Sequence, residues 1–170
     1  MRLPIKNKAW AVSYLGIFTA VLAVLSFFES RFMINFGVPG VKVGLSNIVI
    51  LLSLMIYGWK SALYLVVAKI IFSLIFSGGI SGFLFTASGT FASLMFMTLA
   101  KYVFKEKISA VGISVIGGTS HITAQYLCSA ALLNTSVVWG MYPLACVLSV
   151  ITSVINGLIC NLILERKYGK

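Results

Sequence analysis

Acidic residues are nearly missing from this chain: it has no Asp, and its acids are Glu29, Glu106 and Glu165 in 170 residues. An enzyme that holds diphosphate through magnesium needs a carboxylate cluster, and three scattered Glu do not supply one. Proton relays use intramembrane acids, so a proton-coupled pump has little support. The single His excludes a His-rich metal site. There is no Gly-x-x-x-x-Gly-Lys-Ser/Thr, no Gly-x-Ser-x-Gly and no His-Glu-x-x-His. P-loop ATP hydrolysis and the commonest hydrolase motifs are therefore not encoded here. Cys128, Cys146 and Cys160 are odd in number and fit no zinc spacing, and read as small apolar helix residues. No cofactor or metal is expected.

What is abundant is apolar surface. The chain is 60% hydrophobic and 9% charged, with a mean hydropathy of +1.06. Soluble domains carry about 25% charged residues, so the main solvent here is lipid. Six stretches are each long enough for a helical crossing: 9–28, 41–57, 61–76, 82–104, 109–133 and 140–164. Turn formers and charges separate them: Phe36-Gly-Val-Pro-Gly40, Gly58-Trp-Lys60, Ser77-Gly-Gly-Ile-Ser81, Lys105-Glu-Lys107 and Asn134-Thr-Ser136. In lipid only helices and closed barrels satisfy the backbone, and barrel strands would be shorter and alternating. The expected fold is all-α, a polytopic bundle of six transmembrane helices forming one membrane domain over 1–170.

The net charge of +10 is an orientation signal. With the N-terminus inside, Arg2, Lys6, Lys8, Lys60, Lys101, Lys105, Lys107, Arg166, Lys167 and Lys170 all lie on the cytoplasmic side. Positive charge stays inside, so both termini are expected to be cytoplasmic. Contact with anionic lipid headgroups follows, and nucleic acid is not an expected partner. The first stretch is longer than the 7–15-residue core of a signal peptide and reads as a true span.

Lys69 falls inside Ser61–Phe76, which is otherwise almost wholly apolar. A charge at bilayer depth costs at least ~2.5–3.5 kcal/mol and defaults to a functional role. His121 and Gln125 lie one helical turn apart, ~18–24 Å in from Ser109. Lys69 is ~12 Å in from Ser61 and can reach outward. The set suggests a pocket in the outer half for a small anionic or carbonyl-rich molecule. Lys42 and Asn47 add a charge and an amide at the outer mouth. Glu29, the only acid expected on the outer side, would orient Lys42 or Lys69; a plain buried Glu29–Lys69 ion pair is the structural alternative. For Lys42 alone the alternative is snorkelling to the interface.

Small residues at Ala9, Ser13, Gly16, Ala20 and Ala23 keep to one face of helix 1. They fit either a seam inside the bundle or docking of another subunit. The lane Gly82, Thr86, Gly89, Ser93 and Ala100 reads as a packing seam. The helix start after Ser77-Gly-Gly could attract an anion. Asn156 and Asn161 read as interhelical hydrogen-bond partners.

Glu29-Ser30, Pro39-Gly-Val-Lys-Val-Gly-Leu-Ser-Asn47, Ser77-Gly-Gly79, Ser88-Gly-Thr-Phe-Ala-Ser93 and Gly117-Gly-Thr-Ser-His-Ile-Thr-Ala-Gln125 resemble the Gx transporter family. Its members are often labelled heptaprenyl diphosphate synthase component I. They look like S-components of energy-coupling factor (ECF) transporters. The resemblance runs from about Ala11 to Leu164.

It implies a six-helix membrane protein of the bacterial cytoplasmic membrane that captures a vitamin-like micronutrient. Such a protein docks on an ECF T-component carrying two P-loop ATPase subunits. Docking in that family uses an Ala-x-x-x-Ala-like motif on helix 1, matched here by Gly16-x-x-x-Ala20. The family's His-Asn-x-x-Gln pattern departs here to His121-Ile-Thr-Ala-Gln125, and its basic residue on helix 3 corresponds to Lys69. The expected function is therefore non-catalytic substrate capture for ATP-driven import. Two rivals stand beside it: a membrane accessory of isoprenoid or quinone metabolism, and a stand-alone carrier, which the lack of a detectable internal repeat disfavours.

Overall fold

The computed structural model describes residues 8–31, 44–76 and 79–168. Among these are six α-helices and no strand: α1 (Lys8–Arg31), α2 (Asn47–Ile56), α3 (Trp59–Phe76), α4 (Ile80–Phe104), α5 (Ala110–Leu133) and α6 (Tyr142–Tyr168). Short 3-10 turns, Lys105–Lys107 and Val137–Met141, precede α5 and α6.

The breaks follow local chemistry. Gly58 has φ +95° and its N–H donates to the Ser53 carbonyl, which ends α2 in a tight reversal. Ser109 caps α5, its Oγ accepting from Gly112 N at 3.2 Å. Asn134 closes the same helix in the left-handed region, at φ 47°.

Four helical stretches are long and apolar enough to cross a membrane: Val12–Arg31, Trp59–Phe76, Ile80–Phe104 and Val137–Arg166. The chain is a membrane-type helical bundle. Val12, Ile75, Phe91, Leu158 and Leu162 are each at least half exposed, which suits a lipid-facing surface.

Two of the six expected spans differ from this pattern. Within the stretch 41–57 the described residues form a helix over Asn47–Ile56, about 15 Å long at 1.5 Å per residue. Residues 41–43 lie outside the described residues, and at Gly44 the backbone turns with φ +84°. α2 is buried nearly all round, with Val49, Ile50, Leu51 and Leu54 packed against Leu22, Leu65, Val66, Met97 and Ile113. A helix apolar on every side belongs in a core.

α5 has the length of a span but too little apolar character to count among the four. It is wedged between α4 and α6 by small residues. A Cβ on Gly118 would fall 1.8 Å from Ser153 Oγ, and one on Gly117 would strike Met97 Cγ at 2.5 Å. Ser149 Oγ donates to the Gly118 carbonyl at 2.9 Å. Close approach lets a polar helix run through the bundle shielded from lipid.

Candidate functional site

The polar residues collect around the start of α2. Glu29, near the end of α1, is buried. Its carboxylate accepts from Gly44 N at 2.5 Å, Ser46 Oγ at 2.5 Å and Ser46 N at 3.4 Å. A carboxylate at a helix start meets unpaired N–H groups and the positive end of the helix dipole. Glu29 thus anchors α2 from a different helix.

Asn47 opens α2, and its Oδ1 accepts from Lys69 Nζ at 2.7 Å. The Gly44 carbonyl accepts from Asn47 N at 3.0 Å and from Asn156 Nδ2 at 3.4 Å. α1, α2, α3 and α6 therefore meet at the Gly44–Asn47 turn. The Asn47 amide supplies the oxygen that holds the Lys69 ammonium. Glu29 orients the turn, and Lys69 and His121 act on it electrostatically.

His121 and Gln125 on α5 are almost fully buried and share a 3.1 Å contact between His121 Nε2 and Gln125 Nε2. The imidazole sits in a slot between two glycines. A Cβ on Gly89 would lie 2.9 Å from its Nδ1 and Cε1, and 2.8 Å from Gln125 Cγ. On the other side a Cβ on Gly44 would lie 3.6 Å from His121 Cδ2. Gly89 belongs to the lane on α4, whose Gly82, Thr86, Ser93 and Ala100 are also buried.

Glu29 and Lys69 border a cleft between α1, α3 and α4, with Ser26, Phe72, Phe76 and Thr86. Its volume of about 10 Å³ is room for one water. Ser26 Oγ is buried there with no hydrogen-bond partner among the described residues.

Of the residues singled out in the sequence, Glu29, Asn47, Lys69, His121 and Gln125 come together around Gly44. Lys42 lies outside the described residues, as do Ser77 and Gly78 before α4. Sequence reasoning missed Ser26, Ser46 and Lys101. Lys101 Nζ donates to the Leu54 carbonyl at 2.6 Å and the Met55 carbonyl at 3.3 Å. These are carbonyls of the last turn of α2, and a half-length helix needs a donor there. No sequence signal separates that cation from an orientation charge.

The small stripe on α1 divides from the buried face of the same helix. Ser13, Gly16 and Ala20 are exposed, and nothing lies within 4 Å of a Cβ placed on Gly16. Ala23 is half-buried, and the Ala9 side chain lies outside the described residues. Tyr14, Leu22, Ser26 and Glu29 form the buried face.

A protein family described as heptaprenyl diphosphate synthase component I matches residues 18–163. No curated protein and no solved structure matches the chain.

Proposed function

This chain belongs to the heptaprenyl diphosphate synthase component I family, and from that premise we propose that it is a substrate-capture membrane subunit of the ECF S-component type. It takes a small molecule from outside into the cleft beside Lys69, with Glu29 fixing the turn that carries Asn47, and with Asn47, His121 and Gln125 belonging to the same polar cluster. Lys42, the other lysine of the sequence-based set, lies outside the described residues. Both termini lie in the cytoplasm. The chain is not itself an enzyme; an ECF T-component and two P-loop ATPase subunits dock on Ser13, Gly16, Ala20 and Ala23, with Ala9 extending the stripe.

The observation that carries this reading is the division of α1. One face turns Ser26 and Glu29 into the cleft, and the other leaves Ser13, Gly16 and Ala20 uncovered. A helix that lines a polar site and also shows an unused small-residue surface suits a binding subunit that passes its cargo to a partner.

A second reading follows from the family's description, which names one component of a synthase. In it, the chain is a non-catalytic membrane accessory of a prenyl-transfer enzyme. The carboxylates favour an accessory over a catalyst, since the chain has no Asp and Glu29 is committed to Gly44 and Ser46.

Gentle purification of the tagged chain from its native host, with mass spectrometry of its companions, separates the two. Recovery of a T-component and P-loop ATPases is expected. Recovery of prenyl-transfer enzymes in their place would sink the importer reading.

A further inference from the structure

The charges bordering the cleft limit what it can hold. Among the described residues its wall carries one carboxylate, Glu29, and one ammonium, Lys69. Taking a charge out of water is costly unless an opposite charge and hydrogen bonds meet it. Lys69 is already met by the Asn47 oxygen and by the nearby charge of Glu29. Glu29 is met by Gly44 and Ser46. Arg31 does not add to this wall: it is exposed, with its guanidinium 5.4 Å from the centroid of the Phe27 ring. Lys101 is engaged at the opposite end of α2. A dianion entering the cleft would face the Glu29 carboxylate with one cation to receive it.

The cleft does offer a hydroxyl. Ser73 and Thr86 spend their protons on helix carbonyls, Ile70 O at 2.7 Å and Gly82 O at 2.8 Å. Ser26 Oγ has no partner among the described residues, though the residue is only 8% exposed. A buried hydroxyl in that position is a donor waiting for an acceptor. Phe72 and Phe76 line the same cleft, their rings stacked at 5.9 Å and 22°. Both rings are only half-buried, so they can part to enlarge a space that holds one water.

We propose that the ligand of this cleft carries no net charge, sets a carbonyl oxygen between Lys69 and Ser26, and lays a flat apolar part against Phe72 and Phe76. Among the described residues this wall has no second cation to receive a phosphate dianion. This inference rests on the reading of the cleft as a capture site, and it sets the ligand apart from the diphosphates in the family's description.

The test is a matched probe series titrated into the purified full chain in lipid nanodiscs and followed by ligand-observed NMR. Benzamide is neutral, benzoate has the same shape with a negative charge, and phenyl phosphate is a dianion. Benzamide is expected to bind ~10-fold more tightly than benzoate and ~100-fold more tightly than phenyl phosphate. Ser26→Ala should weaken benzamide ~3–10-fold, and Lys69→Met should weaken it further. Ser26→Ala removes no existing hydrogen bond, so it stays decisive if Lys69→Met does not fold. Tightest binding by phenyl phosphate, weakened in Ser26→Ala, would overturn the charge assignment and leave the capture site standing. No binding by any of the three probes, or binding that Ser26→Ala leaves unchanged, would overturn both.

Discussion

Gly89→Ala tests the slot that holds His121. A Cβ there lands 2.8 Å from Gln125 Cγ and 2.9 Å from two atoms of the imidazole. The ring cannot simply retreat, because its Cδ2 faces Gly44, whose backbone is set by a positive φ and by the Glu29 carboxylate. Overpacking of this kind costs ~1–3 kcal/mol. Replacing a mid-helix Gly by Ala returns ~0.8–1.0 kcal/mol of helix propensity.

Gly16→Ala isolates that second effect, since nothing lies within 4 Å of its new methyl. The difference between the two variants is therefore the overlap alone, ~1–3 kcal/mol. At ~2–4 °C per kcal/mol for a chain of this size, Gly89→Ala should melt about 2–12 °C below Gly16→Ala. The assay is thermal unfolding in mild detergent, followed by a thiol-reactive dye. Cys160 is buried, and Cys128 and Cys146 are half-buried, so reactivity reports opening of the bundle. If the two variants melt together, the glycine slot does not constrain His121 and the packing argument fails.

Three further outcomes are expected. Lys101→Met leaves the Leu54 and Met55 carbonyls without their donor and should cost ~1–3 kcal/mol in the same assay, with Lys101→Arg recovering part of it; equal melting of wild type and Lys101→Met would refute the capping role. Glu29→Gln turns an amide N–H toward groups that are themselves donors, Gly44 N and the Ser46 hydroxyl, and should cost at least ~1.5–3 kcal/mol; unchanged stability would show that the carboxylate does not anchor α2. Gly16→Leu adds bulk to an open surface, so melting and benzamide binding should stay put while companion proteins are lost on purification; retention of the companions would place docking elsewhere.

The helical architecture is legible because lipid leaves the backbone few choices. Long apolar runs broken at Gly58 and Asn134 become helices that end at those residues. Within the expected span 41–57 the described helix is Asn47–Ile56, because the backbone turns at Gly44, and a hydropathy average over side chains does not register such a turn. α5 is the converse case. Its Ser114, His121 and Gln125 weaken its lipid affinity, and only the close approach of α4 and α6 at Gly89, Gly117 and Gly118 shows how such a helix is shielded.

Within the polar cluster, Lys69 is conspicuous in the sequence because a charge among apolar neighbours is expensive at bilayer depth. Glu29 stands out as the one acid outside the basic ends. Their partners are not conspicuous. Ser26 is one hydroxyl in an apolar helix, and Lys101 looks like any other basic residue near a helix end.

The sequence by itself determines that the chain is helical and apolar and that it carries a costly lysine and a paired His and Gln, because composition and spacing are local properties. The tertiary structure alone decides that Asn47 holds Lys69 while Glu29 holds Gly44 and Ser46. It alone turns Gly16 outward and Ser26 inward. Those choices depend on which helices touch, a matter of packing between residues 15 to more than 100 positions apart, and no local pattern encodes them.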